Sequence, residues 1–301
     1  MCIRDRTNTI VGHEAGKLIT SHTGNVFLGS FAGMKAANSG NTMIGKNAGR
    51  CMTTGQGNIA LGECAYRGDN ASAGTGDNNI VIGTKAVLNA CAASANIHIG
   101  RYAGACLTSG NRNISMGNYT LQKCTTSGSC NIAIGEKAGR CVSGSCNIAI
   151  GCNAMNCGAG HDNIAIGNIT MKCLSSGERN IAIGKYTMQC ITTGDKNVGL
   201  GHCALALATF TGDQNVAIGM YAGQKATSAS YNNIMGSVAG QCITTGCFNI
   251  FLGNAAGRNT TEGSRNIAIG CAVCLPSATG DTQLAIGAGT TTWITGDNSF
   301  K

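Results

Sequence analysis

The pentapeptide NIAIG stands at residues 131–135, 147–151, 163–167, 180–184 and 266–270 of this 301-residue chain. The first four copies follow one another at spacings of 16 or 17 residues. A short peptide that recurs at a nearly fixed period indicates a repeat protein, in which each repeat buries its apolar side chains against the repeats on either side. The pentapeptide therefore decides how the rest of the sequence is interpreted.

Variants of the pentapeptide extend the repeat over almost the whole chain. Adjacent units are 16 to 18 residues apart, except for one spacing of 21. The glycines that close the units are Gly12, Gly29, Gly45, Gly62, Gly83, Gly100, Gly117, Gly135, Gly151, Gly167, Gly184, Gly201, Gly219, Gly236, Gly253, Gly270 and Gly287.

Each unit has the pattern of a short strand followed by turns. Ile181 and Ile183 alternate with Asn180, Ala182 and Gly184, which is the period of a β-strand with one apolar face. The T-T-G or S-S-G that follows is typical of a turn, and no window shows helical periodicity. A unit of about 17 residues is half of what a propeller blade or a helical repeat requires.

The sequence thus predicts an all-β fold: a single parallel β-solenoid of about 17 coils with 16–18 residues per coil. The solenoid domain covers residues 8–298. Residues 1–7, which begin MCIRDR, break the pattern and are predicted to be a non-repeat leader that is foreign to the protein. Residues 299–301 form a tail.

Stacking places equivalent residues above one another, so the asparagine that opens each unit forms a column. Amide side chains repeated at strand spacing can hydrogen-bond from one coil to the next. We therefore predict a structural asparagine ladder, with a ligand-binding stripe as the alternative. Its clearest members are Asn131, Asn147, Asn163, Asn180 and Asn197.

The third position of the pentapeptide is mostly small, and alanine is its commonest residue. If the isoleucines face the core, the alanines face outward and form a flat, uncharged stripe. We predict that this stripe packs against another chain, although a plain solvated face would have the same composition. Its representatives are Ala133, Ala149, Ala165 and Ala182.

The chain contains 18 cysteines, several of which lie six residues after a closing glycine. Neighbouring coils bring equivalent Cα atoms within the range of a disulfide, and each bridge would contribute about 3 kcal/mol in the chain-entropy model. Such bridges favour an oxidising, extracellular setting. Thiols that act as small apolar side chains are the alternative. The disulfide candidates are Cys141, Cys157, Cys173, Cys190, Cys130, Cys146, Cys106 and Cys124.

Composition and motifs argue against the main catalytic and binding classes. Net charge is +8, but the basic residues are scattered singly, so no nucleic-acid partner is expected. No apolar stretch is long enough to insert into a membrane. Phosphate-binding loops, nucleophile elbows and H-E-x-x-H are missing, and the C-x-x-C at 271–274 has no second pair. We therefore predict no enzyme activity, no cofactor and no metal.

The N-I-A-I-G unit followed by x-x-A-G resembles the head repeats of trimeric autotransporter adhesins, whose consensus centres on a similar S-V-A-I-G. It is also similar to repeats in phage and virus tail fibres. The resemblance extends over nearly all of residues 8–298. It implies a left-handed parallel β-roll, usually trimeric, that holds a binding tip away from a cell or virion surface.

The predicted function is structural. The last unit, QLAIGAGTTTWITGDNSFK at 283–301, is interpreted as one more coil with an open strand edge. Open edges at both ends predict an extracellular filament that forms by end-to-end stacking, with the chain itself as partner. The alternatives are the shaft or head of an adhesin or viral tail fibre, which could have a surface receptor or a glycan as partner, and an ice-binding solenoid that uses threonines such as Thr192 and Thr244.

Overall fold

The computed structural model of the chain describes residues 7–68, 74–89, 92–106, 109–122, 127–207 and 209–297. Within these residues the secondary structure consists of β-strands and turns, and the predicted all-β parallel solenoid is confirmed, with about 16 turns. Apart from Thr7, the predicted leader lies outside the described residues, as does the predicted tail. The strands are β1 (Thr9–Val11), β2 (Val26–Leu28), β3 (Thr42–Ile44), β4 (Ile59–Leu61), β5 (Ile80–Ile82), β6 (Ile97–Ile99), β7 (Ile114–Met116), β8 (Ile132–Ile134), β9 (Cys141–Val142), β10 (Ile148–Ile150), β11 (Cys157–Gly158), β12 (Ile164–Ile166), β13 (Ile181–Ile183), β14 (Val198–Leu200), β15 (Val216–Ile218), β16 (Asn233–Met235), β17 (Ile250–Leu252), β18 (Ile267–Ile269), β19 (Leu284–Ala288) and β20 (Thr291–Gly296).

The chain divides into two compact units, Met1–Cys152 and Asn153–Lys301. In the first unit, β1 to β8 and then β10 pair in chain order, each strand parallel to the next. In the second unit, β12 to β19 pair in the same way. The register pairs each position of a pentapeptide with the same position in the next coil, so equivalent residues form columns within each unit.

The central residue of each three-residue strand is buried, and the two residues beside it are half-buried or exposed. Ala133, Ala149, Ala165 and Ala182 are therefore inside, each at most 2% exposed. The prediction that the alanines form an outward packing stripe is wrong. Alternation along a strand puts positions one and three on the same side. The opening asparagine points inward, because its side chain hydrogen-bonds to carbonyl groups inside the coil. The alanine at position three points the same way, and the isoleucines at positions two and four point outward.

The closing glycine allows the backbone to turn out of the strand while it lies in close contact with the next coil. Gly184 has φ +131°, a conformation that side-chain-bearing residues rarely adopt. A Cβ atom built on it would lie 2.6 Å from the carbonyl oxygen of Gly201 in the next coil. Both constraints require glycine at this position, which explains why this residue marks the period so clearly.

Each turn after the strand also places ordinary residues in the left-handed region. Arg179, Tyr186 and Met188 have φ values of 57°, 60° and 47°. A residue with a side chain loses about 1–2 kcal/mol in this conformation. The backbone N–H of Tyr186 donates to the carbonyl of Asn168 at 3.0 Å, and that of Met188 donates to Ala204 at 2.9 Å. The conformation aims these N–H groups at neighbouring coils, and the resulting hydrogen bonds offset its cost.

The core is narrow, and two positions of each coil share its volume: the centre of the strand and the residue six positions later. Where the centre is large, the later residue is glycine, and a Cβ on Gly33 would lie 2.7 Å from Cζ of Phe27. Where the centre is alanine, the later residue is often large. Pairs of the first kind are Phe27 with Gly33, Met43 with Gly49, His98 with Gly104 and Phe251 with Gly257; pairs of the second kind are Ala60 with Tyr66, Ala149 with Met155, Ala165 with Met171 and Ala182 with Met188.

The final repeat unit does not form a coil, contrary to the prediction. After β19 the chain reverses and β20 returns antiparallel to it, with Leu284 opposite Gly296 and a register shift between Ile286 and Gly287. In a complete coil, alanine and glycine come three and four residues after the closing glycine. Here Ala288 and Gly289 follow it directly, so the corner is too short and the β-branched residues that follow form a hairpin strand instead.

Candidate functional site

The asparagine column forms a continuous set of hydrogen bonds within each unit. The backbone N–H of Asn147 donates to Oδ1 of Asn131 at 2.9 Å, and its Nδ2 donates to the same oxygen at 3.2 Å. In the second unit Asn180 repeats both bonds to Asn163, at 2.9 and 3.1 Å, and its Nδ2 also donates to the carbonyl of Gly194 at 2.8 Å. The asparagines are buried, so these bonds connect the backbones of adjacent coils inside the solenoid.

One member of this column escapes a search for the pentapeptide. In the stretch Tyr231-Asn232-Asn233-Ile234-Met235-Gly236 it is Asn232 whose N–H donates to Oδ1 of Asn215, at 3.0 Å. Asn232 is fully buried, whereas Asn233 points outward. The signal was available, because Asn232 lies four residues before the closing glycine as the other ladder asparagines do.

A second column, two residues before the asparagines, was not identified from the sequence. Its aspartate, serine and asparagine side chains accept hydrogen bonds from backbone N–H groups of the preceding coil. The N–H of Glu178 donates to Asp195 at 2.7 Å, that of Asp195 to Asp213 at 2.7 Å, and that of Asp213 to Ser230 at 3.0 Å. Aspartates that looked like ordinary turn residues therefore join one coil to the next.

The outward residues of the strands form a long apolar surface on each unit. We call this surface the isoleucine face: positions two and four of every pentapeptide. In the second unit Ile183 is 41% exposed and Met235 is 44% exposed. The face in the first unit consists of Val11, Val26, Leu28, Ile44, Ile59, Leu61, Ile80, Ile82, Ile97, Ile99, Ile114, Met116, Ile132, Ile134, Ile148 and Ile150, and that in the second unit of Ile164, Ile166, Ile181, Ile183, Val198, Leu200, Val216, Ile218, Met235, Ile250, Leu252, Ile267, Ile269, Leu284 and Ile286.

The predicted disulfides are not present. None of the cysteines that the structure describes forms a disulfide; among the candidates these are Cys141, Cys157, Cys173, Cys190, Cys130, Cys146 and Cys106. Cys124 lies outside the described residues.

The cysteine columns stack as expected, but stacking is not sufficient for a disulfide. The N–H of Cys157 donates to the carbonyl of Lys172 at 3.3 Å, directly before Cys173, and the N–H of Cys173 donates to Gln189 at 3.1 Å, directly before Cys190. In-register side chains on parallel coils repeat at about 4.8 Å. A disulfide needs Cβ atoms about 3.8 Å apart. The spacing is therefore wider than a disulfide prefers, and the thiols of Cys173 and Cys190 interact through a hydrogen bond instead of a covalent bond.

Nothing marks these thiols as reactive groups. Burial raises the pKa of the Cys190 thiol, and the neighbouring Cys173 raises it further. The thiolate, which is the nucleophilic form, is therefore scarcer at neutral pH than in an ordinary cysteine. Cys51 and Cys64 are buried in the core, where a thiol acts as a small apolar side chain.

The first threonine of an adjacent pair uses its hydroxyl between coils, whereas the second is exposed. Oγ1 of Thr244 donates to the carbonyl of Thr261 at 3.1 Å, and Oγ1 of Thr261 donates to Ala278 at 3.3 Å. Oγ1 of Thr192 donates to Phe210 at 3.4 Å. These hydroxyls are used between coils, so only the second threonine of a pair, such as Thr193 or Thr245, is exposed for the array that the ice-binding alternative requires.

In the part of the chain that the structure describes, no three His, Cys, Asp or Glu side chains converge as they would around a metal ion. Nor do the described residues include a helix with the length and apolar character needed to cross a membrane.

Comparison with known proteins does not add a relative. No protein-family model, curated protein or solved structure matches this chain. The similarity to adhesin and tail-fibre repeats thus remains one of repeat pattern.

Proposed function

We propose that the protein is a structural component of an extracellular fibre, in which solenoid units of separate chains pack side by side through the isoleucine face. The observation that carries the proposal is the face itself. Each unit exposes two columns of aliphatic residues, interrupted by few polar residues such as Thr42 and Asn233. An apolar patch this extended usually marks a surface that another protein covers.

Side-by-side packing suits the geometry of the face. Its strands are short, parallel and in register, so its residues repeat at an even spacing and match a second copy of the same face. Burying aliphatic side chains contributes about 25 cal/mol per Å². Contact along several coils therefore adds up to a stable interface without any single strong anchor.

The fibre is proposed to grow by this lateral contact, with each of the two units of a chain packed against a different neighbour, rather than by the end-to-end stacking expected from the sequence. At the C-terminal end the edge of β19 is already paired with β20. A strand that is hydrogen-bonded on both sides cannot accept a further coil. The extracellular location is supported by the resemblance to adhesin and tail-fibre repeats, and immunogold labelling of producing cells or particles tests it.

Light scattering and electron microscopy test the association. We expect the purified chain to form oligomers, and we expect the Ile183→Lys/Ile218→Lys variant to associate more weakly because each lysine places a charge on the isoleucine face of the second unit. Thr193→Lys/Ser228→Lys is the matched control, since both residues are exposed away from that face. A wild-type chain that stays monomeric at high concentration, or a control that dissociates as readily as the face variant, would refute the proposal.

A trimeric shaft or head of an adhesin or tail fibre is the second candidate, and the same face supports it. Three copies around an axis would bury the isoleucine face completely, whereas fibres formed by lateral growth would leave it exposed at the edges. A discrete particle of three times the chain mass favours the trimer. A broad distribution of masses favours the fibre.

A further inference from the structure

Aromatic and basic residues concentrate on one corner of the coil. We define the corner column as the residues one and two positions after each closing glycine. It borders the isoleucine face and turns away from it. Of the six tyrosines in the chain, the four in this column are Tyr102, Tyr119, Tyr186 and Tyr221.

In the first unit these side chains form a fixed arrangement. The rings of Tyr102 and Tyr119 stack with their centroids 5.5 Å apart and an interplanar angle of 11°. The guanidinium of Arg101 lies 5.4 Å from the first ring and 5.2 Å from the second, and it donates to the hydroxyl of Tyr119. Nζ of Lys85 donates to the hydroxyl of Tyr102 at 3.2 Å. The contacts hold two cations and two phenols in place over three successive coils.

The second unit contains an equivalent arrangement from different residues. The ammonium of Lys185 lies 4.9 Å from the ring of Tyr186. His202, in the next coil, makes edge-to-face contacts with Tyr186 at 6.0 Å and with Tyr221 at 5.4 Å. The same combination of basic and phenolic groups thus recurs at the same corner.

The electrostatics of this corner favour an anionic partner. In the first unit, Glu63 and Glu136 are the acidic residues on either side of the arrangement, and the corner residues between them carry no carboxylate. The corner positions of the second unit from 168 to 272 carry none either. The chain as a whole has a net charge of +8. Anions are therefore attracted to the corner rather than repelled by it.

We propose that the corner column binds a linear anionic polysaccharide. Arg101 and Lys85 supply charge-assisted hydrogen bonds to sulfate or carboxylate groups. The coil spacing of about 4.8 Å is close to the length of one pyranose unit in an extended glycan. The phenol hydroxyls add hydrogen-bonding groups between the cations. The inference is independent of lateral packing, since the corner residues lie outside the isoleucine face.

The geometry argues against a nucleic acid at the same place. Proteins that bind single strands offer open aromatic faces on which bases stack. Here the face of Tyr102 is covered by Tyr119, and Arg101 lies over both rings. The corner presents hydroxyls and cationic groups instead, which suits a sugar chain rich in hydroxyl and acidic groups.

Fluorescence anisotropy with a labelled heparin oligosaccharide tests the proposal on the full chain. We expect micromolar binding that weakens as salt is raised, because the contacts are charged. Lys85→Gln/Arg101→Gln should lower the affinity about tenfold, because two charge-assisted hydrogen bonds to the glycan are lost. The loss is no larger because the corner of the second unit still binds the glycan. The matched control is Arg112→Gln/Arg258→Gln, which removes the same charge from exposed residues outside the corner column.

The outcomes separate the possibilities. An affinity that falls equally in the control pair would show that net charge alone attracts the glycan, and equal binding of neutral dextran would remove the role of the cations. Tighter binding of oligothymidylate than of heparin would assign the corner to nucleic acid. Each of these results, or no binding at all, would overturn the proposal. Unchanged thermal unfolding of both variants is the check that the fold is intact.

Discussion

At the scale of the residue, Asn180 shows how one side chain connects three parts of the solenoid. Its Nδ2 donates to Oδ1 of Asn163 in the preceding coil and to the carbonyl of Gly194. Its own Oδ1 accepts from the backbone N–H of Asn197 at 2.9 Å and from Nδ2 of the same residue at 3.1 Å. All of these groups are buried, so water cannot replace the asparagine.

Replacing this asparagine tests whether the ladder stabilises the fold. We expect Asn180→Ala to lower the free energy of unfolding by about 3 kcal/mol, because the N–H of Asn197 and the carbonyl of Gly194 lose partners inside the protein. Urea unfolding followed by circular dichroism measures the change. Thr193→Ala, on the exposed turn of the same coil, should stay within about 0.5 kcal/mol of the wild type. Similar losses for both variants would contradict a stabilising role for the ladder.

His98 is the residue that departs most from the pattern of the core. It occupies the centre of β6, where alanine is the commonest residue in the other coils, and Gly104 leaves space for its ring. Nδ1 lies 2.7 Å from Oγ of Ser115 in the next coil, whereas Nε2 has no hydrogen-bond partner among the described residues. Burial lowers the pKa of His98 from 6.5 to about 4, so the ring is neutral in the folded protein at neutral pH.

This depressed pKa makes stability depend on pH in a definite direction. Below pH 6.5 the unfolded chain binds a proton at His98 that the folded chain does not bind until about pH 4. Unfolding therefore becomes easier as pH falls through this window, by about 1.4 kcal/mol per unit, and the effect is absent above it. Urea unfolding at pH 7, 6 and 5 measures the slope. His98→Met, which copies the pairing of Met43 with Gly49, should flatten the slope, and an equal slope in that variant would assign the effect to other groups.

At the scale of the element, the pentapeptide predicts where each strand lies but leaves open which side of it is inside. Period, strand position and parallel register follow from the spacing of the closing glycines. The side was predicted wrongly because isoleucine is more apolar than alanine, and apolar residues are usually buried. The buried amide of Asn180 was the better guide, since a polar group inside a coil needs partners and alternation carries Ala182 with it.

Other features of the coil could not be predicted from one sequence. Positive φ at Tyr186 and Met188 runs against the preference of both residues and is imposed by bonds to neighbouring coils. Whether Cys173 and Cys190 can be joined depends on the distance between their side chains within a column, which the repeat period does not contain. Sharing of core volume between Ala182 and Met188 becomes evident only when both are known to point inward.

Exchanging the two kinds of core pair within one coil tests this sharing. Met43 with Gly49 should be convertible to the arrangement of Ala182 with Met188, because position 49 already has φ +57°. We expect Gly49→Met alone to clash with Met43 and Met43→Ala alone to leave a cavity, each at a cost of about 3 kcal/mol. The double variant should lose less than the sum by about 2 kcal/mol, as measured in a double-mutant cycle of urea unfolding. Additive losses would show that the two positions do not share space.

At the scale of the whole molecule, the two terminal strands differ in how their edges are paired. Among the described residues β1 pairs with β2 alone, so its other edge has no described strand against it. β19 pairs with β18 on one side and with β20 on the other. β20 is antiparallel and carries a register shift, two features that interrupt the stacking of parallel coils. It is also the most exposed strand, with Trp293 72% and Ile294 52% accessible.

Removing the C-terminal hairpin strand tests its role as a cap. We expect a chain that ends at Gly289 to associate end to end, because the edge of β19 is then unpaired and continues the parallel sheet. Electron microscopy and light scattering should show longer particles than for the full chain. Trp293→Thr, which keeps the strand and removes the exposed indole, should behave like the wild type. Truncated chains that are no longer than the parent would show that β20 does not limit stacking.

The hydrogen bonds between coils have a mechanical consequence. Among the described residues of each unit they join a coil only to the coils directly before and after it, as the bond from Ile181 to Asn197 and the bond from Val198 to Asn215 illustrate. A force applied to one end of the stack therefore acts first on the hydrogen bonds of its last coil alone. Each rupture would free about 17 residues, or roughly 60 Å of extended chain, before the next coil resists. Such a protein lengthens under tension in nearly equal increments and absorbs work at every step.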